Sequence, residues 1–125
     1  MSNIFISIIF IAIGGAIGAE TRFWTTGKLK HLQPLPYGTL FVNVTGSFLL
    51  GLFLTLTNFI SIQAEFISFI GTGFFGCYTT MSSFAVETMT LQEQSNKLAI
   101  INITLMITTV LLGAFIGKGL ALLVH

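Results

Sequence analysis

The stretch GCYTTMSSF, Gly76 to Phe84, carries five hydroxyls, on Tyr78, Thr79, Thr80, Ser82 and Ser83, within a strongly apolar region. Hydroxyls donate and accept hydrogen bonds without a fixed charge. Gathered in one place, they can organise an interrupted backbone or bond back to the carbonyls of their own helix. Asn43, in TLFVNVTGSF, adds an amide with two donors and an acceptor. Asn102 and Thr109 are seven residues apart in sequence, which puts them only about 20° apart around a helix. Gly113 continues that face, so a polar and then small stripe results. Interhelical hydrogen bonding accounts for such Asn and Thr residues as readily as transport does. Glu20 and Arg22 close an apolar stretch, where pairing or anchoring near a membrane interface is the natural role. Glu87, one turn beyond Phe84, either lines a vestibule or marks the end of its span. The chain has no Asp, a single Cys77, and its histidines are His31 and His125. No metal-ligand cluster, nucleophile triad or phosphate-binding loop can be assembled from these, so no enzyme is expected.

The elements that must hold these groups follow from composition. The chain has 125 residues, 54% hydrophobic and only 7% charged, whereas a soluble domain is about a quarter charged. This composition predicts an all-α integral membrane protein. A net charge of +1 argues against a nucleic-acid partner. Cys77 alone cannot form an internal disulfide. The segment SNIFISIIFIAIGGAIGA lacks the basic start of a signal peptide and reads as an uncleaved first helix. Four apolar stretches, at about 4–25, 39–59, 66–89 and 98–124, each approach the ~20 residues that cross a bilayer. They predict a single transmembrane domain of four helices. Loops are expected at GKLKHLQPLPYG, which holds Pro34 and Pro36, at SIQAE and at LQEQSNK. The period-two alternation of a β-barrel is absent. Gly14 and Gly18, Ser47 and Gly51, and Gly113 and Gly117 are small pairs at helical spacing, which predicts close backbone approach. In the third span Gly71, Gly73 and Gly76 precede the hydroxyl run. Two readings stay open there: a break near Gly76 to Thr80, or an intact helix whose hydroxyls bond back to its own carbonyls.

Three collinear motifs, GGAIGAETRF, YGTLFVNVTGSFLLG and GTGFFGCYTTMSSFAVE, resemble the Fluc/CrcB fluoride channels, and the similarity runs over essentially the full length. The resemblance implies an antiparallel dimer of four-helix subunits with a broken third helix and fluoride pathways along the dimer interface. It implies a structural sodium ion at the dimer centre, held by the backbone carbonyls of Gly76 and Thr79. Where the family reads TTFSTF this chain reads TTMSSF, so Phe84 matches the second pore aromatic and Met81 replaces the first. Asn43 matches the pore-lining asparagine, Ser82, Ser83 and Thr109 the supporting hydroxyls, and Arg22 and Glu87 positions that the family also carries. Physically, a strongly hydrated small anion needs uncharged donors and the positive edges of aromatic rings. The implied function is passive fluoride export across the plasma membrane of a microbe.

The rival is a small four-helix proton-coupled drug or cation exporter. It needs a carboxylate in the middle of the first helix, where this chain has FIAIGGAIG and carries Glu20 only towards the end. A non-transporting scaffold would leave the polar run unexplained. Charge adds a further expectation. Arg22, Lys28, Lys30 and Lys97 fall on the side of the first and third loops, and Lys118 alone on the side of the termini. That bias places both loops in the cytoplasm. With Met81 in place of an aromatic, it favours pairing with an oppositely oriented homologue over a self-paired antiparallel homodimer.

Overall fold

A computed structural model describes residues 4–124; His125 lies outside them. Every element among the described residues is helical. They are α1 (Ile4–Leu29), α2 (Tyr37–Leu56), α3 (Ala64–Ile67), a π-helix (Ser68–Phe75), α4 (Gly76–Tyr78), α5 (Met81–Gln94) and α6 (Asn96–Val124). Three of them, α1, α2 and α6, are long and apolar enough to cross a membrane. Between α2 and α6 the chain is helical in two halves, residues 64–78 and 81–94, and these do not join. Thr79 (φ −80°, ψ 156°) and Thr80 (φ −149°, ψ 121°) are both extended. The break therefore exists, and the intact-helix reading is set aside.

Local chemistry accounts for these boundaries. Pro36 precedes α2, where a missing N–H costs nothing. The π-helix contains Gly71 and Gly73, whose large backbone freedom makes regular α-helix costlier to hold. α1 lies directly on the π-helix, and a Cβ on Gly18 would collide with the Phe74 backbone. α2 pairs most extensively with α6, and there a Cβ on Gly117 would collide with the Phe48 carbonyl. In lipid, where burial of apolar surface does not drive helices together, such backbone contact supplies the packing.

Two apolar clusters frame the site. Val42, Phe75 and Tyr78 are buried together, and the Phe74 ring stacks on Tyr78 at 5.7 Å between centroids. Leu35, Leu91 and Ala99 form the other cluster, tying the loop before α2 to the corner between α5 and α6. That corner is shorter than the expected LQEQSNK loop, because only Ser95 leaves helical geometry. Leu91 and Ala99 are anchored on either side of it, and Ser95 N–H donates to the Leu91 carbonyl at 2.8 Å. The chain segments bearing Lys28, Lys30 and Lys97 thus share one end of the molecule. Elsewhere the outside is coated with apolar side chains, among them Ile9, Ile13, Ile107 and Leu111.

Candidate functional site

The interruption at Thr79 and Thr80 brings side chains from α1, α2 and α5 together. From α2, Asn43 reaches across to Thr80. Its Oδ1 accepts from Thr80 N–H at 2.7 Å and its Nδ2 donates to the Thr80 carbonyl at 3.0 Å. From α1, an Arg22 Nη1 donates to the Thr79 carbonyl at 3.5 Å. Arg22 does not pair with Glu20, whose carboxylate accepts from the Trp24 indole.

The hydroxyls of GCYTTMSSF divide into distinct tasks. Tyr78 shares a hydrogen bond with Thr45 of α2 at 3.1 Å. Thr79 Oγ1 donates to the Phe75 carbonyl at 2.9 Å, closing the end of the first half. Thr80 Oγ1 accepts from Ser83 N–H at 3.2 Å and so caps α5. The same oxygen lies 3.2 Å from Ser82 Oγ and donates to Ser83 Oγ at 3.1 Å. Most of these hydroxyls therefore organise backbone around the break.

Below the break, α5 faces α2 and α6 through polar pairs. Glu87 accepts from Thr39 Oγ1 at 2.7 Å, and its second carboxylate oxygen is buried with no hydrogen-bond partner among the described residues. Asn102 donates to Thr88 Oγ1 at 2.9 Å. Thr109, although on the same α6 face, donates to its own helix at the Leu105 carbonyl, 2.6 Å away. A cavity of about 500 Å³ opens at the basic end, lined by residues that include Phe23, Thr26, Lys30, Thr39 and Glu87.

The residues singled out from sequence fall into two groups. Asn43, Arg22, Thr79, Ser82 and Ser83 meet at or beside the break. Met81 begins α5 and is 76% exposed, Phe84 is half-buried on the next turn, and Glu87 and Thr109 lie farther along their helices. Gly76 is exposed, and a Cβ there would meet nothing within 4 Å. Sequence reasoning missed Thr39, Thr45, Thr88 and Met106. Two of these carried a usable signal: Thr39 lies four residues before Asn43, and Met106 four after Asn102, so each shares a helix face with a polar residue already marked.

At the break a backbone carbonyl loses its helical donor. Thr80 N–H, which an uninterrupted helix would give to the Gly76 carbonyl, is given to Asn43 instead. Gly76 and Thr79 stand at the C-terminal, negative end of the first half. Among the described residues there is no group of three or more His, Cys, Asp or Glu suited to a metal; the oxygens gathered at the break are backbone carbonyls and hydroxyls.

Residues 9–118 match the family described as CrcB-like protein, Camphor Resistance (CrcB). A fluoride-specific ion channel FluC of Methylococcus capsulatus is 39% identical over 120 residues, covering 93% of this chain and 53% of that protein. This chain therefore spans about half the length of that relative. A fluoride-specific ion channel FluC of Rhodospirillum rubrum is 36% identical over 123 residues, 94% of this chain and 95% of the relative. One from Methanocaldococcus jannaschii is 39% identical over 116 residues, 92% of this chain and 94% of the relative.

Proposed function

This chain belongs to the CrcB family, and we propose that it is a subunit of a fluoride-selective channel that exports fluoride passively from a microbial cytoplasm. The observation that carries the reading is the likeness, over nine-tenths of the chain, to relatives named fluoride-specific ion channels. It is a multi-pass membrane protein of a channel family, not an enzyme.

The site chemistry suits this reading. Fluoride gives up a tight hydration shell only where uncharged donors replace it. Ser82 is exposed beside the break, Ser83 and Phe84 follow it and Glu87 lies one turn farther along α5, while Thr109 lies on α6 beyond Met106, the neighbour of Asn43. Asn43 holds the backbone from which this run starts, through Thr80. Phe84 offers an aromatic edge, and Met81 a polarisable thioether in place of a second one. Arg22 anchors α1 to the break.

Sodium fits the carbonyls of Gly76 and Thr79, which lack regular helical donors at a negative helix end. When bound, it supplies a fixed positive charge beside an anion path. The open space at Gly76 and the exposed Met81 suit a second subunit closing over this face. That subunit lies antiparallel in our proposal. The end bearing Lys28, Lys30 and Lys97 faces the cytoplasm by the positive-inside rule, so the partner is an oppositely oriented homologue in preference to a second copy.

Liposome flux tests the function. Fluoride efflux without a proton gradient, and with chloride retained, is the expected result. Proton-coupled cation efflux with no fluoride flux, from the chain alone and with a co-expressed homologue, points to the exporter and overturns the reading. Robust fluoride flux from the chain alone, with termini detected on both membrane faces, overturns the preference for a homologous partner.

A further inference from the structure

One side chain, that of Asn43, bonds both backbone groups of Thr80. Asn43 is 8% exposed and its partner Thr80 is 6% exposed, so neither meets solvent appreciably. The orientation of the amide is dictated by its neighbours. Thr80 N–H can only donate and faces Oδ1; the Thr80 carbonyl can only accept and faces Nδ2. Nδ2 also lies 3.6 Å from Met106 Sδ, which takes up its other donor. The amide thus has no donor left over.

This pairing does two things. A side-chain amide carries the same donor and acceptor as a peptide group, so Asn43 gives Thr80 what a neighbouring strand would give. Two extended residues can then persist in buried, apolar surroundings that would otherwise penalise their free backbone groups. It also diverts the Thr80 N–H from the Gly76 carbonyl, which is the bond that would carry the helix through the break. Neither of the other two contacts described at the break does both. The Thr80 hydroxyl is turned into α5 and decides only where that helix begins. The Arg22 contact reaches the Thr79 carbonyl alone, at 3.5 Å.

We propose that Asn43 is the positioning residue of the interruption. It acts on the ion path through Thr80, by holding Thr79 and Thr80 extended and leaving the Gly76 carbonyl to a cation, and not as a free donor to the passing anion. The clamp stands on the geometry; its link to the cation rests on the channel reading above.

The test uses the full-length protein in detergent, as wild type, Asn43→Leu and Asn43→Asp. Site-resolved amide exchange at Thr80 is measured in sodium-free buffer. The sodium-induced rise in unfolding temperature is measured against N-methylglucamine. Thr80 N–H should be protected in the wild type without sodium and exchange about tenfold faster or more in Asn43→Leu. The sodium midpoint should weaken by a similar factor, again about tenfold. Asn43→Asp, which keeps an acceptor for Thr80 N–H, should retain most of the protection. If Asn43→Leu loses fluoride flux while Thr80 protection and the sodium midpoint stay at wild-type values, Asn43 is a free donor and the proposal is overturned. Rapid exchange of Thr80 in the wild type overturns it too, and that measurement with Asn43→Asp decides the matter if Asn43→Leu does not fold. A protected Thr80 in a protein with neither sodium response nor fluoride flux keeps the clamp and removes the channel reading.

Discussion

The two halves of the third span are held by different physics. Residues 64–78 are glycine-rich and apolar, and they lie against α1 so closely that backbone meets backbone at Gly18. Residues 81–94 are held through individual hydrogen bonds: the Thr80 cap, Thr39 to Glu87, and Thr88 to Asn102. The second half also leaves Met81, Val86 and Met89 exposed. The contrast teaches that the first half is a fixed wall and the second a separately tethered arm. The break falls where dispersion packing gives way to polar pairing, since a continuous helix cannot satisfy both neighbours at once.

The largest effect should come from spoiling the wall. Gly18→Val puts a branched side chain into the Phe74 backbone, and overpacking of that kind costs about 3 kcal/mol. We expect little or no monodisperse protein on gel filtration. A Gly18→Val protein with wild-type unfolding temperature would show that the first half is not held by backbone contact.

A smaller effect should follow from cutting one tether of the arm. Thr39→Val removes the donor to Glu87 and leaves a buried carboxylate with neither oxygen bonded, at about 1–3 kcal/mol. Adding Glu87→Gln to Thr39→Val should recover most of the lost stability, because a neutral amide is cheaper to leave unpaired. Strictly additive losses in that double-mutant cycle would mean the two residues do not act as a pair.

The smallest effect on stability should occur at the junction. Gly76→Ala adds a methyl to open space in a helical residue, which changes stability by about 0–1 kcal/mol in favour of folding. The same methyl should lower fluoride flux if a second subunit closes over this face. Unchanged flux in Gly76→Ala would move the subunit contact elsewhere.

Much of this was legible beforehand, for identifiable reasons. The helical class was plain because apolar residues run on without alternation. Gly71, Gly73 and Gly76 with the following hydroxyls marked a place where a break could fall, since weak helix formers and backbone-competing side chains coincide there, but an intact helix fitted the same residues. The π-helical winding of residues 68–75 was not visible, because its apolar composition fits an α-helix equally well. The near-continuous helix through LQEQSNK was misread as a loop, because its polar residues report only exposure, while the anchoring by Leu91 and Ala99 is tertiary.

The same division runs through the site. The sequence by itself determined the solvent, the long helices and the inventory of uncharged donors, because these depend on residue type and on neighbours along one helix; it marked where a break could fall, and the extended Thr79 and Thr80 decided that one does. Only the tertiary structure decided which acceptor each donor takes. Asn43 spends its amide on Thr80 and Thr109 its hydroxyl on Leu105, while Thr39, unremarkable in sequence, holds Glu87. The Asn43–Thr80 and Thr39–Glu87 bonds join residues 37 and 48 positions apart, and a hydrogen bond is made or lost within a few tenths of an ångström, so only the packing of the helices against one another could settle them.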